Sequence, residues 1–326
     1  MNSNRVQLQI RILKSTHRDI EQRHNDRNKM RNGRVIFRPV EISDKAAIEA
    51  AVPPNPLLSC EYCFANLFSW RKACGTRWGL FKGHLTAFFE KEDEILMPAG
   101  SEPDPEDLYD FYLDVFPDGD GCIAHIPAKY IGLFPSIKDL FEVEKCIDHT
   151  EYIHETENLF NLNGSKFHNK KNLLNQFIRN NPGFEVRKAS RKFIPECFSL
   201  AEKWYEDKTC KTFGITHERS AIKESLDNFE ELGLEGVLIF CGGSLTAFSV
   251  FSIFNGTCIV HFEKYDRSVK GAAQAINYET AKSVLGKCRY INREQDLGIE
   301  GLRKAKSSYC PDIFDTDFTL TKKKVC

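Results

Sequence analysis

The sequence predicts an α+β protein of two domains built on mixed sheets. Three observations lead there. The chain has 326 residues, more than one ordinary core holds and enough for two domains of roughly 100–150 residues. Its second half runs helix, helix, three strands, helix, strand, helix, an order that suits a mixed sheet and not an alternating β/α barrel. Short turn signals, Lys82-Gly83, Gly242-Gly243 and Asn255-Gly256, join neighbouring strand segments.

Residues 1–33 read as a basic extension, in which Lys and Arg outnumber the acidic residues Asp19, Glu21 and Asp26. Those acidic residues count against a mitochondrial presequence. Val35–Pro39 reads as a strand. Ser43-Asp44 opens a helix that places Ile48 and Ala51 at helical spacing, and Pro53, Pro54 and Pro56 end it. Phe64, Leu67, Phe68 and Trp70 mark a helix within Cys60–Arg71. Trp78–Phe89 and Glu94–Pro98 read as paired strands, and Pro103-Asp104-Pro105 opens a helix through Tyr112. Leu162-Asn163-Gly164 is a break, giving a first lobe over 34–160 and a second over 161–326. Ser165–Arg179 then reads as a helix burying Phe167, Leu174, Phe177 and Ile178, and Ser190–Asp207 as another. Val237–Phe240, Ser244–Phe254 and Gly256–Tyr265 are three consecutive strands. Ala272–Leu285 is a helix, Arg289–Gln295 a strand and Leu297–Ser308 a helix. Trp70, Trp78 and Trp204 read as packing anchors.

The hydrophobic share of 41% and charged share of 28% fit a folded body. A net charge of -1 gives no global attraction to nucleic acid or anionic lipid. No stretch approaches the roughly 18 apolar residues of a membrane span, and no apolar signal core opens the chain, so a cytoplasmic location is expected. The 12 cysteines are scattered and read as free thiols. Cys60-x-x-Cys63 with Cys74 is half a zinc site at most, because a structural site needs four ligands. No metal is expected.

Several stretches carry candidate chemistry. On a strand through 290–295, Asn292, Glu294 and Asp296 point one way and Arg293 and Gln295 the other. Asp296 would sit at the start of the next helix, where a carboxylate accepts backbone N–H bonds. Asp296 or Glu294 could act as a general base, with Arg303 or Lys306 holding a phosphate or carboxylate. The plain alternative is a helix cap with a structural ion-pair network. In His261-Phe262-Glu263-Lys264, alternation puts His261 and Glu263 on one face and Lys264 with Phe262 and Val260 on the other. A charge there needs a partner, since isolated burial is costly, and His261 reads as a hydrogen-bonded core residue. Arg267–Ala273 precedes a helix, where Gly271 and neighbouring amides could cradle a pyrophosphate. Its spacing is one residue longer than the acetyl-CoA signature and it has one glycine. Residues 166–192 hold eight Lys/Arg and one acidic residue. Lys166, Lys170 and Lys171 form a basic ridge suited to phosphates or, more plainly, a solvated helix face.

Phe64–Arg71, Gly164–Phe177, His261–Lys264 with Gly271–Asn277, and Tyr290–Tyr309 together resemble the family named for the C-terminal domain of phosphatidylglycerol lysyltransferase. The resemblance implies two tandem lobes similar to GCN5-related acyltransferases, each a mixed, mostly antiparallel sheet flanked by helices, with a cleft between or beside them. It implies acyl or aminoacyl transfer, in membrane-bound members from aminoacyl-tRNA to a lipid head group. On that reading Glu263 or Asp296 is the catalytic base. Lys264, Gly271, Asn292, Arg293, Arg303, Lys306, Lys170 and Lys171 bind substrate, the last two at tRNA phosphates. The donor would be aminoacyl-tRNA, and the acceptor a lipid head group or other small molecule. A CoA-dependent N-acyltransferase and a non-catalytic binding module of the same fold are the alternatives.

Overall fold

Local chemistry sets the element ends in the computed structural model, which describes residues 35–55, 57, 59–206 and 213–323. The basic extension 1–33 and the Trp204 side chain lie outside the described residues. In chain order the first half holds β1 (Arg38–Pro39), α1 (Lys45–Ala50), α2 (Phe64–Cys74), β2 (Thr76–Phe81), β3 (His84–Phe89), β4 (Glu94–Leu96), α3 (Pro105–Val115), β5 (Cys122–Ile126), α4 (Ala128–Leu133), α5 (Ile137–Leu140), β6 (Phe141–Lys145), β7 (Glu151–Glu155) and α6 (Thr156–Asn161). The second holds α7 (His168–Asn180), β8 (Glu185–Lys188), α8 (Ile194–Glu206), α9 (Phe213–Asp227), β9 (Glu235–Cys241), β10 (Ser244–Phe254), β11 (Thr257–Tyr265), α10 (Ala272–Val284), β12 (Tyr290–Asn292), α11 (Glu300–Ser307), β13 (Ile313–Asp315) and β14 (Phe318–Lys322). Asp104 caps α3 by accepting Glu106 N–H at 2.9 Å, with Pro105 in the first turn. The β10–β11 turn, Asn255-Gly256, has φ of 50° and 79°, the left-handed pair that a tight hairpin demands.

Among the described residues two seven-stranded mixed sheets result, flanked by helices. Their orders are β1-β2-β3-β4-β5-β14-β6 and β13-β7-β12-β11-β10-β9-β8. All ladders are antiparallel except β4–β5 and β11–β12. β7 precedes residue 160 yet pairs in the second sheet, and β14 returns at the C-terminal end to pair in the first.

Apolar burial divides into three cores that set the layering. Leu108, Tyr112 and Phe141 back the outer face of the first sheet. Phe177, Ala275 and Ile276 back the outer face of the second. Between the sheets, α2, α8 and α9 fill one shared core with Trp78, Leu85, Phe248 and Phe262. Helices α2 and α9 approach closely because their contact residues are small: Ser225 Oγ donates to Ser69 Oγ at 2.6 Å. Glu224 on α9 accepts from Arg71 at 2.7 Å and from Lys72. This shared core joins the two sheets, and an opening lies between them.

Some elements depart from the sequence reading. Ile178 is 44% exposed, because the buried stripe of α7 already runs through Phe167, Leu174 and Phe177 and the next residue turns about 100° away. Helix α9 and strands β8, β13 and β14 were not anticipated. α9 buries small and mixed residues such as Ala221 and Ser225, so it shows no plain apolar stripe. Strand β12 stops at Asn292 and α11 starts at Glu300, both shorter than expected.

Candidate functional site: a cavity between the lobes

The opening between the sheets is a cavity of about 410 Å³ lined by residues of both lobes. Helix α2 and the turn before it supply Glu61, Asn66, Leu67, Trp70 and Cys74. The ends of β3, β4 and β5 supply Phe89, Glu94 and His125. The loop after β12 supplies Glu294, Gln295 and Leu297, and His149 and His217 complete the wall with Glu92. His125, Glu294 and Leu297 have φ of 57°, 55° and 52°. Left-handed backbone costs a non-glycine residue about 1–3 kcal/mol, and such strain gathers at functional sites.

Two backbone irregularities aim these side chains. The β10–β11 register slips between Val250 and Phe251, leaving His261 as the extra residue of a bulge. His261 therefore shares the interlobe face with Phe262, whereas Glu263 turns to the outer face with Val260. This corrects the expected pairing of His261 with Glu263: alternation fails where a bulge inserts a residue. Likewise, the left-handed residues at 294 and 297 end the alternation expected through Asp296 and turn Glu294, Gln295 and Leu297 into the cavity.

A hydrogen-bonded chain runs inward from the wall. His261 Nδ1 lies 2.9 Å from Glu294 Oε1, and His261 Nε2 lies 2.8 Å from Ser252 Oγ. Asn66 Nδ2 donates to the same Glu294 oxygen and to the Cys60 carbonyl, both at 3.1 Å. Burial alone would lower His261, but hydrogen bonding to Cys63 and Glu294 raises it to about 9. Burial, assisted by the charges of Glu294 and Glu151, pushes the Glu61 carboxyl up to about 7, against the opposing pull of His125. His125 is itself raised to about 10: burial opposes its charge, but the hydrogen bond to Asp317 at 3.0 Å and the charge of Glu61 outweigh it. Behind them Glu151, raised by burial, accepts from Ser59 Oγ at 2.5 Å, from Cys60 N–H at 3.0 Å and from Asn292. Burial and neighbouring charge thus displace several carboxyl and imidazole values in one cleft, an arrangement that catalytic sites share with structural ion-pair networks.

The residues singled out from sequence do not gather in one place. Asn292, Asp296, Arg303 and Lys306 come together as a clamp under the cavity loop. Asp296, fully buried, accepts from Arg303 Nε at 2.9 Å and Nη2 at 2.8 Å, from Tyr152 Oη at 2.5 Å and from Gly298 N–H at 2.9 Å. Burial opposes its charge, yet those donors hold its carboxyl below the ordinary value. Arg303 also reaches Asp148 at 2.7 Å. Lys306, lowered to about 8 by burial, donates to the Gln295 carbonyl at 2.5 Å. Asn292 Oδ1 accepts from Glu294 N–H at 2.8 Å. The clamp fixes the loop from which Glu294 enters the cavity.

Glu263 and Arg293 form a second group on the outer face, with Asn277 donating to both Glu263 oxygens at 2.7 and 2.8 Å and Arg293 pairing at 3.3 Å. Lys170 lies over the Tyr309 ring at 4.2 Å and donates to Ser308 at 2.6 Å, while Lys171 is exposed. Lys264 sits in a third place, 3% exposed and donating to Glu218 of α9 at 2.8 Å.

Gly271 has φ of 85° and opens α10, but α7 covers it. A Cβ there would lie 2.3 Å from the Leu173 carbonyl oxygen and 2.9 Å from Phe177 Cβ. The glycine thus permits helix packing at the point where an anion would otherwise approach. Cys60 Sγ donates to Glu151 at 3.2 Å and Cys63 Sγ lies 3.4 Å from Ser252 Oγ. Among the described residues no His, Cys, Asp and Glu group is arranged to hold a metal ion.

Glu61, His125 and His149 were not reached from sequence, because each stands alone there. The Phe64–Arg71 stretch was the available signal: Asn66, Leu67 and Trp70 of it line the cavity.

Comparison with known proteins places this geometry. A 30% identical conserved protein of unknown function from Bacteroides thetaiotaomicron VPI-5482 superposes with a TM-score of 0.82, over 89% of this chain and 100% of that one. L-PGS from Bacillus licheniformis, 14% identical, matches with a TM-score of 0.59 over 89% of this chain and 94% of that one. The C-terminal domain of a putative lysylphosphatidylglycerol synthetase from Agrobacterium fabrum, 11% identical, gives 0.59 over 86% and 91%. No curated protein matches the sequence significantly. Among the described residues no helix is long and apolar enough to cross a membrane. Residues 56–320 match the family model for the C-terminal part of phosphatidylglycerol lysyltransferase, and the chain belongs to that family, with its acyl/aminoacyl transferase fold.

Proposed function

We propose that the chain transfers an aminoacyl group from aminoacyl-tRNA to a small acceptor held in the interlobe cavity. The observation that supports this reading is the cavity itself: strained backbone holds Glu294 beside Glu61, whose carboxyl titrates near neutral pH. A base with that value is matched to taking a proton from a nucleophile at physiological pH. Attack on an aminoacyl ester needs positioning, a proton acceptor and charge stabilisation, and no covalent intermediate. Glu61 is the proton acceptor in this scheme. Glu294, held by His261 and Asn66, orients the nucleophile. Asp296, Arg303 and Asn292 keep the loop in place, and Glu263 with Arg293 fixes β11 against the chain after β12. The ridge of Lys166, Lys170 and Lys171 would meet tRNA phosphates.

The covered start of α10 favours aminoacyl-tRNA over acyl-CoA as donor, since Leu173 and Phe177 occupy the approach to Gly271. The test is transfer of a labelled amino acid from charged tRNA to a mixture of small acceptors, for the parent chain and Glu61→Gln. Loss of transfer in a folded Glu61→Gln protein supports the assignment. Undiminished transfer removes Glu61 from it. Labelling from acetyl-CoA in place of charged tRNA would overturn the donor.

A further inference from the structure

The transfer scheme has a proton acceptor for the nucleophile and still needs a proton source for the oxygen that leaves. His125 is placed to be that source. The β5–β14 ladder passes from Phe318 opposite Ile126 to Leu320 opposite Ile123, so Ala124 and His125 together face Thr319. His125 is the left-handed residue of that bulge, with φ of 57°. A bulge bends its strand and re-aims a side chain, and here it sets the His125 ring in the cavity wall. The ring is fixed at one nitrogen and open at the other. Nδ1 donates to Asp317 Oδ2 at 3.0 Å, and Asp317 is 7% exposed. Ser59 Oγ lies 3.3 Å from the same nitrogen but gives its hydrogen to Glu151. Both bonds of the ring are thus at Nδ1, and among the described residues Nε2 is not one of the buried atoms left without a partner. Nε2 therefore keeps accessible surface, where the ring lines the cavity. A carboxylate behind an imidazole sets its tautomer and orientation and stabilises the imidazolium. Asp317, Glu61, Glu94, Glu151, Asp315 and the stacked His149 ring face His125. Burial opposes its charge, but the bond to Asp317 and the charge of Glu61 raise it to about 10, so the ring carries its second proton at neutral pH.

We propose that His125 is the general acid of the transfer, its Nε2–H protonating the ribose oxygen as it leaves, with Asp317 as the positioning residue behind it. The inference rests on the transfer reading and completes the proton path at the same site. Glu61 takes one proton from the nucleophile. The nucleophile attacks the ester carbonyl carbon, forming the new bond. The C–O bond to the tRNA 3′-terminal ribose then breaks, its electron pair stays on the oxygen, and that oxygen takes the Nε2 proton. A departing alkoxide is a much stronger base than imidazole, so the donation is downhill. Glu61 is now a neutral carboxyl and His125 a neutral imidazole. Each favours the other's charged form, and the proton passes from Glu61 back to His125. Both residues return to their starting states, and only donor and acceptor are consumed.

The test compares leaving groups that differ in their need for a proton. The full chain is assayed with charged tRNA and the mixture of small acceptors, and with alanine p-nitrophenyl ester, whose phenolate leaves unprotonated. His125→Gln should lose at least about a hundredfold in transfer from tRNA, and at least about tenfold less with the nitrophenyl ester. Asp317→Asn keeps the imidazole and removes the charge behind it. The alkaline limb of transfer, about 10 in the parent, should therefore move at least about one pH unit lower in that variant, with spontaneous hydrolysis of charged tRNA subtracted. Equal loss with both esters overturns the proposal, because His125 would then serve structure or substrate binding. An unmoved alkaline limb in Asp317→Asn overturns it as well. Should the parent not use the nitrophenyl ester, or His125→Gln not fold, the limb decides alone. Absence of transfer by the parent overturns the transfer reading and this one with it. Undiminished transfer in His125→Gln overturns this one and leaves the transfer reading standing.

Discussion

Replacing Gly271 with alanine separates the two explanations for a glycine at the start of α10. The residue has φ of 85° and ψ of 0°, a region where a side chain costs about 1–2 kcal/mol. The added Cβ would meet the Leu173 carbonyl oxygen at 2.3 Å and Phe177 Cβ at 2.9 Å. The carbonyl belongs to the interior of α7 and cannot rotate away without breaking that helix, so overpacking adds about 1–3 kcal/mol. Together these give a loss of about 2–5 kcal/mol, or a drop in Tm on the order of 10 °C. Urea unfolding and calorimetric melting measure it directly. Acetyl-CoA titration of both proteins completes the assay, with no binding expected to either. A variant as stable as the parent would refute the packing argument. So would parent binding of acetyl-CoA that the substitution abolishes, since the amides would then be open to a pyrophosphate.

Glu61→Gln should lower transfer by about 10²–10⁴-fold with the fold intact, as read by initial rates and circular dichroism. Glu61 also predicts a pH signature. Its folded-state value of about 7 lies above the ordinary 4.5, so its contribution to stability is full below the lower value and lost as pH rises through the upper one. Activity should rise across the same window as the base ionises, with His125, His149, Glu151 and Glu294 facing it, and melting and rate profiles of Glu61→Gln should both flatten there. Arg303→Met should lower stability in urea, because the buried Asp296 loses two of its four donors and its charge partner, and Asp296→Asn on that background should recover part of the loss. Lys170→Ala with Lys171→Ala should weaken tRNA binding and reduce its salt slope by about one per lost phosphate contact. An unchanged slope would place the tRNA elsewhere.

How much of this site was legible depends on the distance between cause and effect along the chain. Asp104 capping α3 and Asn255-Gly256 turning β10 into β11 are local matters, decided by residues within a turn of each other. The mixed sheets and the family were likewise readable, the family from long unbroken stretches such as Tyr290–Tyr309. The positions of Asp296 and Glu263 in sequence suggested reactive carboxylates. Their surroundings hold both in hydrogen-bonded clamps. Glu294 was considered as a base on strand alternation that does not exist, and it reaches the cavity through its left-handed backbone.

By itself, then, the amino-acid order determined what short-range free energies decide: caps, hairpins, apolar stripes and the two-sheet class. Tertiary structure alone decided which charges meet. Glu61, Asn66, His125 and Glu294 come from four separate elements and converge only when α2, α8 and α9 close the core between the sheets. The value of a carboxyl such as Glu61 follows from burial and neighbouring charge. Those quantities exist only after packing has excluded water and brought distant segments within a few ångströms.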